Sequence, residues 1–166
     1  MELTKKQERQ LQDLSTALFA MAGVSKARRR ACAAFLVEWV DDVPVIISSG
    51  VNGTEPETCN QCDAPDLSYT YDHVIHAEIN AIARCPKTAT TKTVLLCTDS
   101  PCEHCLSFIR ENTSIKNIAY VRKYRITDHI DAATDFNFLH LEENPVKIGL
   151  ARAIDKVSQF ETVSAR

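Results

Sequence analysis

Residues 93–121 read TVLLCTDSPCEHCLSFIRENTSIKNIAYV, and this stretch decides the fold class. The apolar run TVLLCT (93–98) predicts a short buried strand, and IAYV (118–121) predicts another. Between them, PCEHCLSFIRE (101–111) begins with a proline, which the first turn of a helix accepts. A strand, a helix and a strand in this order favour an α/β protein.

Upstream of this unit, the sequence predicts a helix and a hairpin. The helix covers 4–21, where Thr4 and Gln7 form a capping box and the apolar residues recur every three or four positions, at Leu11, Leu14, Leu18 and Met21. Gly23 stands where this helix would end. The runs ACAAFLVEWV (31–40) and VPVIISS (43–49), separated by two aspartates, indicate the hairpin.

A long loop and a second helix come next. Residues 50–68 are rich in Gly, Pro, Asn and Asp, and loops of this length are often functional. Residues 74–84 have helical spacing of their apolar side chains. A further helix over 145–160 is predicted after Asn144-Pro145. For the chain beyond about Thr127 we expect a role in packing or subunit contact, because it shows no catalytic motif. Strands alternating with helices predict an α-β-α sandwich, a sheet with helices on both faces.

Length and composition limit the function classes. A chain of 166 residues predicts one domain spanning 1–166. It has 19 basic and 22 acidic residues, and this net charge of −3 does not favour a protein that wraps nucleic acid. No apolar run is long enough for a membrane span, and no secretory signal is visible, so we expect a cytoplasmic protein. Seven cysteines, an odd number, favour reduced thiols or metal thiolates over disulfides.

Four residues are candidates for a metal-dependent catalytic site. His76 lies near the start of one predicted helix, and Cys102 and Cys105 open another at a spacing that places both on one face. Imidazole nitrogen and thiolate sulfur are zinc ligands, and three of them leave the fourth tetrahedral position open for water, as in catalytic zinc sites. Glu78, two residues after His76, points away from the histidine's direction. It is therefore a poor fourth ligand and a better proton shuttle beside the water.

These motifs carry a family resemblance. HAEINAI (76–82) and SPCEHC (100–105) resemble the two zinc motifs of the zinc-dependent cytidine and deoxycytidylate deaminase superfamily, a signature known for zinc nucleobase deaminases. Within it, GVNG (50–53) and Asn80 resemble the deoxycytidylate (dCMP) deaminase branch, although Val51 replaces the usual aromatic residue. The resemblance covers roughly residues 28–125.

The resemblance implies a fold, a reaction and an assembly. The fold would be a three-layer α-β-α sandwich around a mixed sheet of about five strands, cytidine deaminase-like. The reaction would be hydrolysis of dCMP to dUMP and ammonia, with Zn²⁺ as cofactor and a small-molecule nucleotide as substrate. It further implies a homo-oligomer, with a hexamer favoured, and activation by dCTP and inhibition by dTTP with Mg²⁺ on the phosphates.

Nucleotide contacts are predicted at five positions, each with a structural alternative. Asn52 and Gly53 belong to the loop that resembles a nucleotide-binding segment, and the alternative is a tight turn. For Asn80 the alternative is a helix-surface amide or a structural hydrogen bond. Arg28, with its neighbours Arg29 and Arg30, suits a phosphate, but such a run is usually a solvated turn. Tyr124 follows the fourth strand, where substrate loops gather in α/β sheets, and the alternative is a half-buried tyrosine without a substrate contact.

Other functions remain open from the sequence. Cytidine, dCTP or a modified cytosine nucleotide are alternative substrates, and an editing deaminase of transfer RNA or single-stranded DNA would share the zinc chemistry. A non-catalytic zinc module would need no Glu78. Cys59 and Cys62 form a second C-x-x-C, which predicts a structural zinc site with His73 or Cys85 as one alternative to free thiols. Cys32 and Cys97 are expected in strands of the core.

Overall fold

The computed structural model describes residues 2–57, 60–124 and 128–143. These residues form a central sheet and the helices that cover it. In chain order the elements are α1 (Lys5–Ala22), β1 (Ala33–Val40), β2 (Val43–Val51), α2 (Ala77–Ala83), β3 (Val94–Asp99), α3 (Glu103–Asn112), β4 (Asn117–Arg122), α4 (Asp128–Ala132) and β5 (Asn137–His140).

The sheet has five strands in the order β2-β1-β3-β4-β5. β1 runs antiparallel to both β2 and β3, whereas β4 pairs in parallel with β3 on one side and with β5 on the other. The sheet is therefore mixed, and this confirms the predicted architecture. Every residue of β3 is buried, as expected of a central strand with helices on both faces.

Two apolar clusters, one on each face of the sheet, hold the helices against it and so define three layers. On one face of the sheet, Leu11, Leu18 and Phe19 of α1 pack on alternate residues of β1, β3 and β4. On the other face, α2, α3 and α4 pack on the intervening residues of the same strands through Ala77, Ala81, Leu106, Ile109 and Ile130. Because successive strand residues point to opposite faces, each strand serves both clusters.

Local sequence explains how α1 and the hairpin form. The capping box at Thr4 and Gln7 is present, and the helix ends at Gly23 as predicted. Asp41 and Asp42 adopt φ angles of 49° and 65°, which are the left-handed values that a two-residue type I′ hairpin turn requires. Aspartate tolerates this region better than most residues, so the pair closes the β1–β2 hairpin.

The structure moves three predicted boundaries. β2 continues through Val51, so the long loop starts later than residue 50. α2 begins at Ala77 instead of residue 74, because Ile75 pairs with Gly53 in an isolated antiparallel bridge. α3 begins at Glu103, and Pro101 therefore precedes the helix rather than opening its first turn.

Gly50 sets the distance between β2 and α2. A Cβ atom at this position would lie 2.4 Å from the carbonyl oxygen of Ala77 and 2.4 Å from the amide nitrogen of Ala81. Only glycine allows this close approach of strand and helix. The approach matters for the site, because α2 carries Glu78 in its first turn.

α4 and β5 were not predicted from the sequence. β5 adds to the sheet by parallel pairing with β4, and Ile130 and Phe136 fill the same core cluster as α2 and α3. The helix predicted over 145–160 lies outside the described residues. Within the described ranges, no helix is both long and apolar enough to cross a membrane.

Candidate active site

Two helix starts meet at one edge of the sheet. His76 is the N-cap of α2 and Cys102 is the N-cap of α3, both with extended backbone, and Cys105 lies in the first turn of α3. α3 follows β3, whose carboxyl end lies beside that of its parallel neighbour β4. Binding sites of open α/β sheets form at this edge. The topology thus brings together residues that are 26 and 29 positions apart in the chain.

The donor atoms of His76, Cys102 and Cys105 converge to within 4.8 Å of one another. His76 Nδ1 lies 3.5 Å from Cys102 Sγ and 3.2 Å from Cys105 Sγ. Zinc–sulfur bonds of about 2.3 Å and zinc–nitrogen bonds of about 2.0–2.1 Å place neighbouring donors of a tetrahedron about 3.5 Å apart. One imidazole and two thiol groups at this spacing therefore fit Zn²⁺, with one tetrahedral position left over.

Cys102 lies where a thiolate is favoured, whereas Cys105 stays a thiol beside it. The hydrogen bond from Cys105 and the neighbouring His76 hold the pKa of Cys102 at about 3, whereas the interaction with Cys102 and burial raise the pKa of Cys105. The same partner, Cys102, raises the pKa of His76 against the effect of burial. The helix N-termini add positive potential at this point. The pKa values of the two cysteines and of His76 are therefore coupled, as expected for donor groups this close together.

Glu78 is buried beside the three donor residues but is not one of them. The residue is 8% exposed, and its burial raises the pKa of the carboxyl group. It faces Cys105, which interacts with the carboxyl group, and it lines the same pocket as His76 and Cys102. A carboxyl group in this position can exchange a proton with a molecule in the pocket.

A single pocket of about 100 Å³ joins these groups to polar residues from other elements. Arg30 and Tyr124 flank it, and the Arg30 guanidinium carbon lies 5.1 Å from the centre of the Tyr124 ring. The remaining lining comes from Cys32, Ala33, Asn52, Thr70, Val74, His76, Ala77, Glu78, Cys97, Thr98, Asp99, Ser100 and Cys102. The pocket is therefore built from both zinc motifs, the segment before β1, the end of β2 and the end of β4.

The family model of the cytidine and deoxycytidylate deaminase zinc-binding region matches residues 7–122. The chain belongs to this family. The match includes both motifs that the sequence analysis identified, and it confirms the resemblance stated there. No curated protein sequence matches the chain significantly.

Two solved structures are similar to this deaminase-family chain. One is a crystal structure of dCMP deaminase from the cyanophage S-TIM5 in complex with dCMP and dUMP, with 28% identity, a TM-score of 0.65, and coverage of 86% of this chain and 100% of that chain. The other is the apo form of the cyanophage S-TIM5 enzyme, with 24% identity, a TM-score of 0.55, and coverage of 79% and 98%. Both confirm the cytidine deaminase-like fold.

The asparagines and Gly53 of this deaminase-family chain make structural hydrogen bonds. Asn52 Oδ1 accepts from the Cys32 amide at 2.8 Å and from the Ser25 hydroxyl at 2.7 Å, and Asn52 Nδ2 donates to the Arg30 carbonyl at 2.8 Å. Asn52 still lines the pocket. The Asn80 side chain donates to the Val51 carbonyl, and both backbone groups of Gly53 pair with Ile75. Nucleotide contacts by these three residues stay predictions.

Among the three consecutive arginines, the structure brings Arg30 to the pocket. Arg28 is exposed and does not line the pocket, and its backbone amide donates to Asp63 at 2.6 Å. Arg29 is exposed too and donates to the Thr70 hydroxyl. Tyr124 lies at the pocket, as expected from its position two residues after β4. A phosphate contact by Arg28 stays a prediction without support from its position.

Two pocket residues were missed or misplaced by sequence reasoning. Asp99, the last residue of β3, was not singled out, although a carboxylate at the carboxyl end of a strand that leads into Pro101-Cys102 is a usable signal. Cys97 is buried in the core, which confirms its prediction, but Cys32 lies ahead of β1 and lines the pocket. Its thiol donates to Asp99 at 3.4 Å.

Only one cysteine of the second C-x-x-C motif lies within the described residues. Cys59 lies outside the described residues, whereas Cys62 is buried against Ala27 and Val74. His73 Nε2 lies 3.1 Å from the Gln61 carbonyl oxygen. Over the described ranges, the only group of three or more metal-ligating side chains within reach of one ion is His76, Cys102 and Cys105. A second zinc site therefore stays a prediction. His104, between the two cysteines, is exposed, as expected for a residue that faces away from them.

Proposed function

We propose that the chain is a zinc-dependent deaminase of free dCMP that produces dUMP and ammonia. The observation that carries the proposal is the convergence of His76, Cys102 and Cys105. His76 and Cys102 also line a pocket together with the buried carboxyl group of Glu78. Family membership supports deamination, and the similarity to a dCMP deaminase crystallised with dCMP and dUMP supports the choice of nucleotide.

His76 Nδ1, Cys102 Sγ and Cys105 Sγ would hold the metal. When bound, zinc supplies Lewis acidity that makes a water molecule nucleophilic at neutral pH. The three residues would hold the ion from the amino ends of α2 and α3, where the backbone N–H groups also favour negative charge. Because the histidine and both cysteines sit at helix starts that pack on the sheet, their positions are fixed before substrate enters.

Glu78 would move the protons of the reaction. It takes a proton from the attacking water and gives it to N3 of the pyrimidine, while the water oxygen bonds to C4. The second water proton passes through Glu78 to the amino nitrogen, which leaves as ammonia as the C4–N bond breaks. The burial that raises the pKa of Glu78 suits a group that must both accept and return a proton near neutral pH.

Arg30 and Tyr124 support a substrate that carries a phosphate. A guanidinium group binds phosphate oxygens through charge-assisted hydrogen bonds, and the aromatic ring beside it offers a flat wall for the nucleotide. The position of Arg30 at the pocket therefore favours a nucleotide over a nucleoside. The net charge of −3 does not favour the editing of nucleic acids.

Regulation by dCTP and dTTP with Mg²⁺, and assembly into a hexamer, stay predictions from the resemblance. The GVNG segment offers fewer free donors than expected, because the amide of Gly53 already donates to the Ile75 carbonyl and Gly50 packs against α2. Rate curves for dCMP with and without each triphosphate test the regulation, since an effector must shift the substrate concentration for half-maximal rate.

An ammonia-release panel tests the proposed substrate. The zinc-loaded protein is assayed with cytosine, adenine and guanine compounds at each phosphorylation level, including cytidine, dCTP and a single-stranded oligodeoxynucleotide. We expect dCMP to have the highest kcat/KM. Preference for an oligonucleotide, with an affinity that falls steeply as salt rises, would instead identify an editing deaminase.

A further inference from the structure

Asp99 connects the pocket to two arginines from different parts of the chain. Its carboxylate is buried, and Oδ1 accepts from Nε of Arg30 at 2.8 Å and also from Nη2 of Arg30. Its other oxygen, Oδ2, accepts from Nη2 of Arg122 at 2.7 Å and from the Cys32 thiol at 3.4 Å. Both carboxylate oxygens of Asp99 thus accept hydrogen bonds from protein groups, which is typical of a residue that orients its neighbours.

Arg122 binds the Asp99 carboxylate from the neighbouring strand, β4. Asp99 and Arg122 are the last residues of β3 and β4, and they are direct neighbours in the parallel register. Arg122 is only 20% exposed, and its guanidinium carbon lies 4.9 Å from the centre of the Phe19 ring of α1. Arg30 and Arg122 thus share the single carboxylate of Asp99, and the three side chains together carry a net positive charge.

Arg30 is held in one orientation by two different contacts. Nε and Nη2 both face Asp99, and the guanidinium carbon lies over the Tyr124 ring. Nη1 is therefore the nitrogen that is not directed at this carboxylate. The Arg30 side chain remains 39% exposed, so it can meet a ligand while its orientation is fixed. A pre-oriented guanidinium group loses less conformational entropy when it binds an anion.

We propose that Asp99 is a positioning residue for substrate recognition, which fixes the Arg30 guanidinium group against Tyr124 so that it meets the phosphate of the nucleotide. The inference rests on the proposed function, because it assigns the phosphate of dCMP to Arg30. It predicts that Asp99 affects the discrimination between dCMP and deoxycytidine, which lacks the phosphate, and leaves the proton transfers of Glu78 unchanged.

The test compares Asp99→Asn with the wild type on dCMP and deoxycytidine. We expect the KM for dCMP to rise about 10-fold, the effect of weakening one charge-assisted hydrogen bond, while kcat for dCMP and kcat/KM for deoxycytidine change less than about two-fold. Asp135→Asn is the matched control, since Asp135 pairs with Arg110 through two hydrogen bonds of 2.7 and 2.9 Å and neither residue lines the pocket. This control should leave both substrates unaffected.

A double-mutant cycle separates positioning from a general structural effect. If Asp99 acts through Arg30, then Asp99→Asn adds little to the KM for dCMP once Arg30→Lys has removed the guanidinium fork. Additive effects, or equal losses on dCMP and deoxycytidine, would overturn the proposal. If Asp99→Asn does not fold, Asp99→Glu keeps the charge and displaces the carboxylate, and an unchanged dCMP preference in that variant would also overturn it.

The same assay keeps the two proposals apart. A wild-type protein that releases no ammonia from dCMP refutes the proposed function, and the role of Asp99 falls with it. If the wild-type protein prefers dCMP over deoxycytidine and both Asp99→Asn and Asp99→Glu keep that preference, only the role of Asp99 is refuted.

Discussion

Replacing Gly50 by alanine should push α2 away from β2. The new Cβ would lie 2.4 Å from two backbone atoms of α2, and ordinary contact begins at about 3.4 Å, so strand and helix must separate by about 1 Å. Backbone atoms cannot rotate aside as a side chain can. Overpacking of this kind typically costs about 1–3 kcal/mol in the free energy of unfolding. Because α2 carries Glu78 and has His76 as its N-cap residue, the shift should also lower turnover, by up to about 100-fold for a 1 Å misplacement.

Thermal unfolding and ammonia release measure the two effects on the same preparation. A loss of about 2 kcal/mol corresponds to a decrease in Tm of about 4–8 °C for a chain of this size. Gly53→Ala is the matched control for stability, because nothing lies within 4 Å of a Cβ at Gly53 and its φ is not positive. Equal Tm values for Gly50→Ala, Gly53→Ala and the wild type would refute the argument that glycine is required for the close approach.

Four further substitutions test the site. Glu78→Gln should keep the fold and bound zinc but lower kcat at least about 10²–10⁴-fold, the usual contribution of a general acid–base group, and full activity at full zinc occupancy would contradict its role. Cys102→Ala or Cys105→Ala should lose both metal and turnover, and a full zinc complement by metal analysis would remove that cysteine from the ligand set. Asn52→Ala deletes three side-chain hydrogen bonds and should lower the free energy of unfolding by about 2–3 kcal/mol in a denaturant titration; an unchanged midpoint would show that these bonds contribute little.

The elements that could be predicted are those whose signal is local. The capping box of α1, the Asp41-Asp42 turn and the buried run of β3 each depend on residues adjacent in the sequence, and the structure confirms all three. The start of α2 was predicted too early because its true boundary depends on the pairing of Ile75 with Gly53, a contact between distant residues. Periodicity alone does not contain that information.

The last described elements were missed for a related reason. α4 has five residues and β5 has four, so neither is long enough to show a period. β5 is held by its parallel pairing with β4, which lies some twenty residues earlier in the chain. A sequence pattern of this length is equally compatible with a loop.

The cluster of His76, Cys102 and Cys105 was predictable, whereas the orientation of the arginines was not. The spacing of His76, Cys102 and Cys105 predicts a metal site, and their donor atoms do converge. Three consecutive arginines before β1 offer no sequence signal for which one faces the pocket. Arg30 is selected by its hydrogen bonds with Asp99, 69 positions later in the chain. Only the folded structure shows that contact.

The most direct test of the central claim is turnover of dCMP as a function of bound zinc. The protein is stripped with a chelator, reloaded with measured amounts of Zn²⁺ and assayed for ammonia release from dCMP. Our account predicts no turnover by the stripped protein and a linear rise in rate that reaches its maximum at one zinc ion per His76–Cys102–Cys105 site. Full turnover by the stripped protein, or none by the reloaded protein, would contradict it.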